Sequence, residues 1–117
     1  MQTLEPLARR LGLPIELEPD LRERTVGSWV EDFSAFARRQ WEDFDYRLEQ
    51  GESLRQVQQR AVLALERLVQ RSEGKTIAAG GHGTAISVLL HSFSKGGFGY
   101  SDFCRIREKT PWVVRLT

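Results

Sequence analysis

The stretch that most limits what this chain can fold into is residues 76–90, Thr76-Ile77-Ala78-Ala79-Gly80-Gly81-His82-Gly83-Thr84-Ala85-Ile86-Ser87-Val88-Leu89-Leu90. Small and β-branched residues come first, then glycines that suit a tight turn, then helical spacing at Ile86, Leu89 and Leu90. The pattern predicts a buried strand over 76–80, a sharp turn, and a helix from Gly83 or Thr84 to about Phe93. In an open α/β sheet, ligands sit outside the carboxyl ends of the strands, which puts His82 where chemistry would be placed. The first N–H groups of the helix, those of Gly83 and Thr84, would face the same spot with the positive end of the helix dipole. An imidazole beside such a terminus suits an oxyanion. A purely structural histidine in a glycine turn fits the same letters, and from this stretch both readings stand.

The chain has 117 residues, which suits one domain, 1–117, with a single core. Lys and Arg number 17 against 16 Asp and Glu, interspersed, so there is no electrostatic footprint for nucleic acid or an anionic membrane. One cysteine, Cys104, cannot form an intrachain disulfide. The N-terminal residues show neither a signal peptide nor a transit segment, and no apolar run is long enough to span a bilayer. The expected setting is a reducing cytoplasm.

Leu4, Leu7, Ala8 and Leu11 share one helical face ahead of Gly12, and Pro6 places the start of that helix near Thr3. Residues 13–19 alternate between two prolines and read as a short edge strand. Residues 20–29 are dense in charge and read as a loop. Residues 32–48 carry Phe33, Phe36, Ala37, Trp41, Phe44 and Leu48 at helical intervals behind Asp32, a possible cap. No basic face accompanies this aromatic stripe, so packing explains it better than base stacking. Ser53 and Gln56 have the spacing of a capping box. Behind it Leu54, Val57, Ala61, Leu65 and Leu68 form an apolar face down to about Arg71. Residues 94–99 read as a flexible loop. Residues 103–107 and 112–116 alternate as two closing strands about a turn at 108–111. His91 lies nine residues beyond His82, about two and a half turns along the same helix, and cannot share its site.

Three pieces in this order, Leu21-Arg22-Glu23-Arg24-Thr25-Val26-Gly27-Ser28-Trp29, then Gly51-Glu52-Ser53 with Arg60, then Gly81-His82-Gly83, resemble the histidine phosphatase superfamily, which includes the cofactor-dependent phosphoglycerate mutases. Gln2-Thr3-Leu4 followed by Pro6-Leu7-Ala8 is similar to the helix after that family's second catalytic arginine. The resemblance covers essentially the whole chain. It implies a phosphoglycerate mutase-like three-layer α/β fold, a mixed sheet flanked by helices; no resident cofactor or metal is expected. It also implies that Glu23 is the general acid/base carboxylate and His82 the second active-site histidine, with phosphate bound by His82, Gly83 and Thr84. Family chemistry passes a phosphoryl group to a histidine nucleophile, then to water or a second hydroxyl. Cationic groups and N–H donors neutralise the equatorial oxygens while a carboxylic acid protonates the departing alkoxide.

The family's nucleophile sits in an Arg-His-Gly motif, and neither His82 nor His91 follows an arginine. The resemblance therefore implies a family member without its first strands and first helix, inactive as it stands and binding a phosphate or phosphomonoester only weakly. Two alternatives remain: an active phosphatase completed by a segment of another chain, and an interaction or regulatory module that uses an exposed sheet edge. Loss of neighbouring strands would leave backbone groups of 76–80 unpaired, so a homo-oligomer, formed by edge pairing or domain swapping, is expected.

Overall fold

The structure, a computed structural model, describes residues 5–14 and 18–106. The chain runs through α1 (Glu5–Leu11), a single 3₁₀ turn (Pro19–Leu21), α2 (Phe33–Glu42), α3 (Leu54–Arg71), α4 (Gly83–Phe93) and α5 (Tyr100–Ile106). Among the described residues there is no strand, and this overturns the expected α/β fold with its mixed sheet. A strand is stable only when its N–H and C=O groups pair with a neighbour, whereas a helix satisfies its own. Residues 76–80 have no such neighbour among the described residues. They run without regular structure, and 76–79 are exposed, which leaves their backbone groups to water instead of burying them unpaired.

The other expected strands fare differently. Of 103–107, residues 103–106 lie in α5: Tyr100, Phe103 and Cys104 all meet the core at helical spacing, and this outweighs the apparent alternation. Asp102 Oδ2 accepts from the N–H of Gly99 at 3.0 Å to secure the start of α5, and Arg105 pairs with Asp102 one turn on. Within 13–19, Leu13 and Pro14 are irregular, Pro19 opens the 3₁₀ turn, and 15–17 lie outside the described residues, as do 108–111 and 112–116. The start expected near Thr3 lies outside them too; the helix is described from Glu5, with Pro6 in its first turn, where proline is tolerated.

Asp32 caps α2, its Oδ1 accepting from Ala35 N–H at 3.0 Å. The helix stops at Glu42 rather than about Leu48. Asp43 turns extended and its side chain accepts from Asp45 N–H, while the Phe44 carbonyl accepts from Arg55 N–H at 2.9 Å. The local Asx turn and this bond to α3 draw the chain off the helix axis. α3 keeps the bounds its pattern predicts, with both arms of the capping box made: Ser53 Oγ accepts from Gln56 N–H, and Gln56 Oε1 from Ser53 N–H.

α3 and α4 form the main helix pair. Leu54, Val57, Ala61 and Ala64 make one buried stripe of α3, and Gln58 Nε2 donates to the Val88 carbonyl of α4 at 2.8 Å. The core joins Ala37 and Trp41 of α2, Leu54 and Val57 of α3, Ala85 and Val88 of α4 and Phe103 of α5. Burying each large apolar side chain here stabilises the fold by about 1.5–3 kcal/mol. The same packing carries the start of α4 to the loop that precedes α2.

Candidate functional site

α4 begins in the glycine turn, with His82 as its N-cap residue in extended conformation (φ −121°, ψ 157°). Its ring makes no capping hydrogen bond and is exposed. The main-chain donors at this terminus meet the loop 20–29 instead. Glu23 Oε2 accepts from Thr84 N–H at 3.2 Å and Oε1 from Ala85 N–H at 3.1 Å. Glu23 Oε1 also accepts from the N–H of Arg24 at 2.8 Å. A carboxylate at a helix N-terminus gains both from the free donors and from the positive end of the dipole. The structure thus brings Glu23 and Thr84 together, and puts Gly83 at the first position of α4 with His82 beside it.

The loop is fixed from α3. Arg60 reaches Glu52 with a fork of two bonds, Nε to Oε2 at 2.8 Å and Nη2 to Oε1 at 2.9 Å. Its remaining donors meet the carbonyls of Asp20 at 2.7 Å, Arg22 at 2.9 Å and Glu23 at 3.3 Å. Glu52 completes the tie: Oε1 accepts from Thr25 N–H at 2.9 Å, and its own N–H donates to the Thr25 carbonyl at 2.8 Å. Both side chains are mostly buried, and the hydrogen bonds from Arg60 hold the Glu52 carboxyl below its usual range against the opposing effect of burial.

Arg24 points the other way, into the protein. Its guanidinium lies 5.2 Å from the ring centre of Phe33 and 5.6 Å from that of Phe36, with Nη1 donating to Gln40 Oε1 at 2.9 Å. Burial pulls it below its ordinary value, Glu23 and Glu52 opposing, and Nε is buried without a partner. Gln40 is fully buried, and its Nε2 donates to the carbonyls of Tyr46 and Glu52. Neither Arg24 nor Gln40 is singled out by the sequence pattern. The one available signal was Gln40 on the aromatic face of α2, one residue before Trp41.

His91 is occupied elsewhere. Its Nδ1 lies 2.8 Å from the Phe98 carbonyl, which only accepts, so Nδ1 carries the proton. Its ring packs on Phe44 and Trp41 at 4.9 and 5.8 Å between centres. Among the described residues no cluster of His, Cys, Asp or Glu could hold a metal ion, and no helix is long and apolar enough to cross a membrane.

The family model of the histidine phosphatase superfamily (branch 1) matches residues 1–111. No curated protein and no solved structure matches the chain significantly.

Proposed function

The chain belongs to the histidine phosphatase superfamily, and from that premise we propose that it holds a phosphate site at rest, without phosphohistidine turnover on its own histidines. The observation that carries this reading is the Glu23 carboxylate seated on the N–H groups of Thr84 and Ala85, donors that would otherwise face a bound oxyanion. An incoming phosphate must displace that carboxylate while His82 alone supplies a nearby ring. Such binding is weak, roughly millimolar, or about 4 kcal/mol. Support for the lack of turnover comes from the histidines themselves. Neither follows an arginine, and His91 is committed to Phe98.

The test is hydrolysis of an aryl phosphate by the purified chain, beside a phosphate titration read from the His82 ring signals. Negligible turnover is expected, with the shift half complete at roughly millimolar phosphate. Robust turnover that disappears in His82→Ala would sink the reading, since it would make His82 the nucleophile.

A second element of the proposal is a homo-oligomer in which a segment of one copy lies along 76–80 of another and pairs there the backbone groups that water serves in the single chain.

A further inference from the structure

We infer that Arg60, locked to Glu52, is a positioning residue that sets Glu23 against the N-terminus of α4. The inference rests on the reading of Glu23 as the site's carboxylate. Its ground is the direction of the contacts: Arg60 touches Glu23 through the main chain only, and leaves the carboxylate free to reach Thr84 and Ala85. The guanidinium gathers three carbonyls of the segment 20–23, while Glu52 pairs with both the N–H and the carbonyl of Thr25. Glu23 is therefore held on both sides in the chain by one ion pair, between Arg60 on α3 and Glu52 just ahead of it. On its other flank Arg24 is buried between Phe33 and Phe36 and bonded to Gln40. With the backbone gripped before and after it, Glu23 is fixed at a place from which its carboxylate reaches the N–H groups of Thr84 and Ala85.

The planar fork matters as much as the charge. Only a guanidinium can bind a carboxylate with two parallel bonds and still have donors aimed at carbonyls on the far side. A lysine at 60 would keep the charge and lose the geometry. A pair serving merely as packing would show no dependence of Glu23 on which cation stands there.

The experiment follows the amide protons of Thr84 and Ala85 by NMR through the titration of Glu23 in the full chain, with Glu23→Gln identifying the part of the response that belongs to that carboxylate. The expected result is a clear response in the unmodified chain, reduced to less than about half in Arg60→Lys and Arg60→Gln alike, with exchange of the two amides at least about tenfold faster while Val57 and Val88 stay protected. Glu52→Gln, which keeps the size of the side chain, should do the same to a smaller degree. An unchanged response in the Arg60 variants overturns the inference. So does full rescue by lysine, or loss of Val57 and Val88 protection in both the Arg60 and Glu52 variants, which would make the pair a requirement of the fold. Turnover by the unmodified chain would refute the resting-site reading alone and leave these amide results to stand or fall separately.

Discussion

Gly27 and Gly51 cross with their main chains in contact: a β-carbon built on Gly27 would stand 2.5 Å from the amide nitrogen of Gly51. One built on Gly51 would meet the Val26 carbonyl oxygen at 2.2 Å. The crossing lets Thr25 and Glu52 exchange their bonds, and no rotamer change can relieve a clash between two backbones. Gly27→Ala should cost about 1–3 kcal/mol for the overlap and roughly another 1–2 kcal/mol for its left-handed φ. Gly74→Ala, left-handed but in open space, should lose only the second amount, about 1–2 kcal/mol. Urea denaturation of the three proteins checks the order, and equal losses at 27 and 74 would contradict the crossing.

Gln40→Leu should be more damaging than Arg24→Met. The first leaves the carbonyls of Tyr46 and Glu52 short of a donor and strips a buried guanidinium of its acceptor; the second strands only Gln40 Oε1. Each neutral group left unpaired costs about 1–3 kcal/mol and a charged one more. The difference in denaturation midpoint decides it. An Arg24→Met protein as unstable as Gln40→Leu would show that the guanidinium itself carries the packing.

Glu52 should impose an acid limb on stability. Its carboxyl is held low in the folded protein, first by Arg60, so its contribution is complete above the carboxyl's unfolded value and disappears as pH falls through the lower, folded value. Glu52→Gln should therefore be less stable than the unmodified chain at neutral pH, with the gap closing on acidification. Denaturation at a series of pH values would show the two curves converging; a gap that widened toward acid would reverse the assigned sign.

The proposed oligomer makes residues 76–80 its indicator. Sedimentation at micromolar concentration should show a dimer or larger species, with those amides protected from exchange. Dilution to monomer should release them together. A monomer that keeps them protected would mean that its own chain covers them, and would end the proposal.

The helices were the legible part of the sequence because their signals are local. Asp32 and the Ser53–Gln56 box act within one turn and are made as their spacing implies, and the stripe of α3 is buried as read at Leu54, Val57 and Ala61 but continues through Ala64, leaving Leu65 and Leu68 half-buried. The segment 103–107 reads as a strand because alternation over five residues cannot outvote a core contact at Tyr100 that lies just outside the window, and its residues 103–106 are helical. The sheet expected of 76–80 depended on neighbours that spacing within the segment does not encode. Around the start of α4, short motifs single out Glu23 and His82, whereas Arg24 and Gln40 meet across 16 positions with no shared pattern. Arg60 stood in a motif, but its job of gripping carbonyls is invisible in letters, since every residue has a carbonyl.

The contact of Glu23 with Thr84 spans 61 positions, which gives the site its place in the order of folding. Closing so long a loop in one step is entropically slow, though each doubling of length adds only about 0.6 kcal/mol. Pairing of α3 with α4 brings the far end close, and Arg60 then gathers 20–23 onto α3. By that stage the remaining closure involves a few residues and little entropy. That order, core first and site last, would make the amides of Thr84 and Ala85 exchange before those of Val57 and Val88, on a timescale of their own.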